Sequence, residues 1–314
     1  MPRHHTLASR PEALHWGFFD AALEPVLEVD SGDRVTIDCL CGQPETLPDG
    51  DRFTVLPDHL EAFRRVPQPV SGHLMTGPIA VRGARVGDVL EVRILEVRLR
   101  QDWGYNRIRP LGGTLPEDFP SHRLMHIPLD AQAMIGRLPW GTEIPLRPFF
   151  GVLGVAPPLT WGRINSIVPR QHGGNLDLKE LTAGTTLFLP VFNDGALFSA
   201  GDGHAAQGDG EVCSTAIETS LAGTFELIVR RDLALELPRA ETPSHYVTLG
   251  LDEDLDDAAK QALRQMIRLV GEVAGLGRED AYTLCSLAGD LRVTQLVNGC
   301  KGVHMMLAKA LVQR

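Results

Sequence analysis

The chain reads as a mainly β protein, a jelly-roll-like β-sandwich with a smaller α-helical part toward its C-terminal end. Three observations predict this. Thirty-two glycines and 22 prolines among 314 residues interrupt helices over most of the chain. A turn followed by an alternating strand recurs three times. After Gly250 the apolar spacing changes from two to three and four. Residues 1–250 are therefore expected to form the sandwich core carrying the polar site. Residues 251–314 form a helical and mixed subregion packed on the same domain.

In chain order, Pro25–Cys39 gives a short strand, a Ser31-Gly32-Asp33 turn and alternation through Val35, Ile37 and Cys39. Ile79–Leu99 repeats the design: Leu90, Val92 and Ile94 share one face, and then Leu95, Val97 and Leu99 change phase, which predicts a β-bulge. Gln101–Pro148, rich in Pro, Gly, Trp and Arg, reads as long loops that shape a pocket mouth. Phe149–Pro158 is an apolar strand ending in prolines. The third copy runs from Leu181 through Ala183-Gly184 to Leu187, Leu189 and Val191. Cys213–Ile217 and Phe225–Val229 continue the strand pattern. In the tail, Asp252 can cap a helix from about Glu253, with Leu255, Ala259, Ala262, Met266, Leu269 and Val270 as its apolar stripe and Gly271–Gly277 as its end. A second helix follows over Arg278–Ala288, then an apolar segment Leu291–Val297. Met266, Met305 and Met306 read as core filler.

The densest chemistry lies in GALFSAGDGHAAQGDGEVCSTAIE, Gly195–Glu218, where Asp202, His204, Gln207, Asp209 and Glu211 are separated by glycines. A second Gly-rich polar knot, HGGNLD at His172–Asp177, precedes it. A solvent-facing turn has similar composition, but this stretch is long for a hairpin. Gly201, Gly203 and Ala206 formally match the dinucleotide fingerprint, yet Gly208 and Gly210 would break the helix it needs. Calcium-loop spacing fails at Ala206 and Gln207. No nucleophile elbow, phosphate loop or H-E-x-x-H is present.

The formal net charge of −10 argues against nucleic acid and against an anionic membrane surface, both of which need a basic face. No run is long and apolar enough to span a bilayer, and the first residues carry no secretory signal pattern. Cys39, Cys41, Cys213, Cys285 and Cys300 are sparse and odd in number, and read as reduced thiols of a cytoplasmic protein.

The strings HGGNLD, GALFSAGDGHAAQGDGEV (Gly195–Val212), TGPIAVRGARVGDVLEV (Thr76–Val92), IPLRPFFGVLGVAP (Ile144–Pro157) and DAYTLCSLAGDLRVTQLVN (Asp280–Asn298) together resemble the acetamidase/formamidase family. The resemblance runs from about His15 to Leu307, and Leu99–Met134 departs from it. It implies hydrolysis of small linear carboxamides to carboxylate and ammonia, a β-sandwich with a smaller helical part, a divalent metal and a homo-oligomer.

Amide hydrolysis needs a nucleophile, oxyanion stabilisation and a proton for the departing amine. Cys213, two residues past Glu211, is the covalent candidate, against its ordinary reading as a buried thiol. The other route is metal-activated water. Asp202 and His204, at i and i+2, point the same way on an extended segment, and Asp177 and His73 can converge on them. That mixed N/O set suits zinc, with calcium second. Glu211 is then the general base and acid, its pKa raised at the junction of a polar loop and an apolar strand, Val212–Ile217. Gln207 is the oxyanion donor, and His172, Gly174 and Asn175 are the substrate contacts. Each has a structural alternative: an Asx-turn at Asn175 and Asp177, a stacked ring at His172, a loop histidine at His73. Asp202, His204 and Asp177 are expected on one pocket wall, and Leu307 and Leu311 on an oligomer face. The competing reading is a non-catalytic metal- or sugar-binding β-sandwich.

Overall fold

In the computed structural model, which describes residues 2–50 and 52–312, the turn-then-strand units are the scaffold. Leu27–Val29 turns at Gly32 into Arg34–Cys39, where Val35, Ile37 and Cys39 face inward and Arg34 outward. Leu74–Val81 turns through Gly83 and Gly87, both at positive φ, into Val89–Leu99. Opposite the last strand, on Leu221–Arg230, Thr224 pairs with Glu96 and Phe225 with Ile94. Leu95 is the extra residue, so the change of phase is a β-bulge. The third unit is Thr186–Pro190, entered through Gly184.

These strands build two large sheets. One runs His4–Leu7, Arg34–Cys39, Leu221–Arg230, Val89–Leu99, Thr186–Pro190, Arg239–Glu241, His245–Asp252, Lys301–Ala308 and Asp290–Gln295. The other is centred on Phe198–Ala206, which pairs with Phe149–Gly154, Leu74–Val81 and Ile217–Glu218. The main core lies between the sheets: Ile37, Leu90, Val92 and Phe225 from the first meet Ile79, Phe150, Leu153 and Phe198 from the second. The chain is mainly β, as its composition predicts.

Three sequence expectations need correction. Gln101–Pro148 is not all loop, because Trp103–Ile108, Arg123–Asp130, Ile135–Arg137 and Glu143–Pro145 form an antiparallel meander extending the second sheet. Trp103, Tyr105, Ile127 and Leu129 are its buried faces. Prolines and glycines in its turns, and Gly104, Pro128, Gly136 and Pro145 within the strands themselves, masked that alternation. Conversely, the strand expected over Cys213–Ile217 is only Ile217–Glu218, and residues 207–216 are turns with one bridge. Finally, Gly201 and Gly203 belong to a buried strand, not a loop. A Cβ on Gly203 would lie 2.3 Å from the Thr219 carbonyl oxygen, and one on Gly201 would lie 2.7 Å from that of Leu74. Both glycines are needed for strand-to-strand contact.

In the tail, Asp254 rather than Asp252 caps the helix Leu255–Ala274, accepting from the amides of Asp256 and Asp257. Gly275, in the left-handed region, ends it, and Arg278–Ala288 follows. Met266 and Met305 fill a second core between these helices and the strands His245–Asp252 and Lys301–Ala308, and Met306 packs into the main core. Leu307 is fully buried in that second core, so it is not an oligomer face; Leu311 is half exposed. The helix sits so close to its strand that a Cβ on Gly250 would lie 1.9 Å from the Ala258 carbonyl oxygen. Backbone cannot rotate away, so Gly250→Ala is expected to cost about 3 kcal/mol or more, read as a lower urea midpoint. An unchanged midpoint would mean the packing is looser than this. No helix among the described residues is long and apolar enough to cross a membrane.

Candidate active site

The strand Phe198–Ala206 carries Asp202 and His204 to the same side, facing Gly151 on the neighbouring strand. Asp177 follows the short strand Gly173–Asn175 and is tied back by its amide to the Gly151 carbonyl, at 3.2 Å. Glu218, in register with His204 on one side and Tyr105 on the other, completes the base of the cluster. Asp202 Oδ2 is 3.2 Å and Glu218 Oε2 3.3 Å from His204 Nε2; Asp177 Oδ1 is 3.9 Å from His204 Nδ1. His73, held at Nδ1 by Ser166 Oγ, puts Nε2 3.7 Å from Asp202. Glu211 groups with Asp177 and His204, and Cys41 with Asp202 and Glu218, each set within 4.8 Å. Asp177, Asp202 and Glu211 are all buried, and they line one cavity with His73, Asn175 and Asn298. The cavity has a volume of about 110 Å³. That is room for a small molecule and well below the space drug-sized compounds occupy.

Three of the acids adopt backbone conformations uncommon for side-chain-bearing residues: φ is 48° at Asp177, 56° at Asp202 and 43° at Glu211. Such strain concentrates where surrounding structure holds side chains for a purpose. The charges are equally crowded. Burial, then the charge of Asp202, push Asp177 up to about 6, against pulls from His204 and Asn298. Burial works to raise Asp202 as well, but His73 and His204 outweigh it and hold Asp202 low. Burial and the neighbouring Asp177 lift Glu211 well above the usual carboxylate range. Burial disfavours a charged His204, yet Glu218 and Asp202 overcome it and raise its pKa well above normal.

Hydrogen bonding explains what His204 is poised to do. Gln207 Nε2 donates to the Asp177 carbonyl at 2.8 Å, which leaves Gln207 Oε1 facing His204 Nδ1 at 2.9 Å. Nδ1 must therefore carry the proton. The buried Nε2 has no hydrogen-bond partner despite two carboxylates nearby. A lone pair aimed at two carboxylates is repulsive unless a proton or a metal cation sits between them. Carboxylate oxygens with one neutral imidazole nitrogen form a donor set that suits a divalent ion, so these residues fit a metal.

Of the residues singled out from sequence, Asp177, Asp202, His204, Glu211 and His73 come together, and Asn175 lines the cavity with its Oδ1 unpartnered. His172 and Gly174 do not line it. The His172 ring packs edge-on to Phe19 with neither nitrogen hydrogen-bonded, and burial lowers its pKa to about 3. Gly174 is where a Cβ would press on that ring. Gln207 does not line the cavity either; its Nε2 donates to the Asp177 carbonyl and its Oε1 faces His204 Nδ1, so it positions both. Cys213 faces the Asn106 side of a neighbouring apolar groove, and the thiol among the acids is Cys41, which burial and Glu218 keep protonated. Glu218, Cys41, Asn298, Tyr105 and Arg107 escape the sequence reading as site residues; Glu218 has a local signal, as the end of the acidic stretch, and Cys41 a weak one in its spacing from Cys39.

A model of the acetamidase/formamidase family matches residues 5–161 and 160–308. An acetamidase from Mycolicibacterium smegmatis is 28% identical over 234 residues, and a formamidase from Methylophilus methylotrophus is 33% identical over 192 residues. The matches cover 56% and 45% of this chain and 56% and 47% of those proteins, so the chain spans about half the length of these curated relatives. Among solved structures, an acetamidase from Bacillus halodurans is 34% identical, with a TM-score of 0.84 and 98% of each chain covered.

Proposed function

Because the chain belongs to the acetamidase/formamidase family, we propose that it hydrolyses the C–N bond of small linear carboxamides, releasing a carboxylate and ammonia. The observation that carries this reading is the unpartnered, buried His204 Nε2 behind carboxylates that line a small cavity, with Glu211 among them. His204, Asp202, Asp177 and Glu218 would hold a divalent ion, zinc by its mixed N/O set, with His73 at the rim. When bound, such an ion supplies Lewis acidity toward the amide carbonyl and makes water more acidic.

The chain's own groups do the rest. Asn175 Oδ1, a buried acceptor without a partner, is placed to receive an amide N–H of the substrate. Glu211 takes a proton from the attacking water and returns it to the departing nitrogen. Gln207 and Asn298, which donates to Asp177 Oδ2 at 2.5 Å, keep His204 and Asp177 in place.

The same reading includes a homo-oligomer, supported by Leu111, Leu115 and Phe119 exposed on one loop, and a cytoplasmic location, supported by five free thiols. The net charge of −10 supports a small-molecule partner over nucleic acid. The test is metal content of the purified protein together with ammonia release from formamide, acetamide and propionamide, before and after chelation. Stoichiometric metal and chelation-sensitive ammonia release are expected. Metal without ammonia release from any amide would favour a binding protein instead.

A further inference from the structure

Arg107 stands on the cavity wall with fewer partners than its burial calls for. It lies two residues beyond Tyr105 on Trp103–Ile108, so the two share one side of the strand about 7 Å apart. Tyr105 is in register with Glu218, which sets Arg107 one pleat away from the acidic end of the cavity. Its main chain is fixed on both sides: the Arg107 amide donates to Thr215 Oγ1 at 2.9 Å, and that hydroxyl donates back to the Arg107 carbonyl at 3.0 Å. The side chain is only 9% exposed. Yet among the described residues its guanidinium makes a single hydrogen bond, a long one of 3.5 Å from Nη1 to the mostly exposed Glu45, and its buried Nε has no partner.

Arg109, just past the end of that strand, lines the same cavity. Its Nη2 donates to Ser214 Oγ at 3.2 Å, and among the described residues no carboxylate lies within ion-pair distance of it. Burial and the charge of Arg107 lower its pKa, outweighing Tyr105, Glu218 and Glu211, which act to raise it. Two guanidiniums on one cavity, whose one carboxylate within ion-pair distance among the described residues is the mostly exposed Glu45, 3.5 Å from Arg107, form a cationic subsite. A buried donor without a partner costs about 1–3 kcal/mol, and a planar guanidinium fork matches a carboxylate in shape.

We propose that Arg107, with Arg109 beside it, receives a carboxylate carried by the substrate, so that the preferred substrates are short monoamides of dicarboxylic acids. This rests on the hydrolytic reading above. The small cavity and the single-pleat separation fit a chain of about three or four carbons, with the amide at the acidic end and the carboxylate at Arg107. The step is balanced by water alone: the amide C–N bond breaks, a C–O bond forms, and the products are a dicarboxylate and ammonium.

The test compares succinamate with butyramide, an uncharged amide of equal carbon number, on the metal-replete full chain. It also measures the thermal shift produced by succinate, the expected product. Succinamate should be favoured in kcat/KM by at least about 100-fold, and that ratio should fall at least as far in Arg107→Gln. Arg107→Lys, which keeps charge and most of the volume, should retain part of the preference, separating loss of the fork from misfolding. Butyramide preferred by the parent protein, or a ratio unchanged in Arg107→Gln, would overturn the proposal while leaving hydrolysis standing. If neither amide is cleaved but succinate raises Tm in the parent and not in Arg107→Gln, the hydrolytic reading fails and the anion subsite stands.

Discussion

Gly151→Ala is expected to remove amide turnover by at least about 100-fold and to weaken metal retention while the sandwich still folds. Gly151 is buried, and an added Cβ would lie 2.4 Å from Asp177 Oδ1, 2.6 Å from Asp202 Oδ2 and 2.9 Å from His204 Cε1. None of these is the loose end of a flexible chain. Asp177 is held by Asn298 and by its own amide on Gly151, and His204 by Gln207. The methyl group must therefore part the three groups by several tenths of an ångström, and displacement on the order of 1 Å costs about 100-fold where reacting geometry is fixed. Overpacking itself costs roughly 1–3 kcal/mol, which a core of this size can absorb. The measurements are ammonia release, metal content and the urea midpoint. Gly277→Ala is the control, because that glycine has φ of −64° and open space around it. Parent-level activity in Gly151→Ala would show that the three groups do not act as one site.

The fold was legible wherever a single strand or helix decided it, and much less where two strands had to meet. Alternation through Val35, Ile37 and Cys39 and the change of phase at Leu95 are local signals, and both correspond to what the backbone does. The same holds for the Asp202–His204 spacing, which needs only one extended segment. The glycines around them misled because glycine usually marks a turn, whereas at Gly201 and Gly203 it is required by neighbours 2.7 and 2.3 Å from a would-be Cβ. That distance is a property of strand pairing and leaves no trace in the segment itself. Glu218 reaches His204 through register, Cys41 approaches Glu218 at 3.3 Å from a residue 177 positions away, and Asn298 reaches Asp177 from the C-terminal tail. No local pattern announces such contacts. Arg107 was hidden for a different reason: it lies in a meander whose prolines and glycines resembled loop.

Glu211→Gln should lower turnover by about 10²–10⁴-fold, the range for loss of a general acid–base, while the metal is kept. The side chain is buried, on a turn whose geometry is fixed from outside: Gly210 donates to the Thr294 carbonyl and receives from the Leu296 amide. Glutamine preserves shape, so the loop should not move. Asp202, His204, Asp177 and Glu218 remain to hold the ion, and lost metal in the variant would instead make Glu211 a direct metal donor. Parent-level turnover would remove it from the mechanism. A second readout concerns stability with the metal chelated. Burial, followed by the charge of Asp177, raises the pKa of Glu211 in the folded protein. Between its unfolded and folded pKa values the native state therefore holds the extra proton, and unfolding free energy falls as pH rises. That contribution is complete below the unfolded value and is lost as pH climbs through the folded one. Glutamine never ionises and so escapes the loss. The metal-free variant should match the parent in urea midpoint near pH 4.5 and exceed it near pH 9, whereas an exposed Glu211 would give the same difference at both.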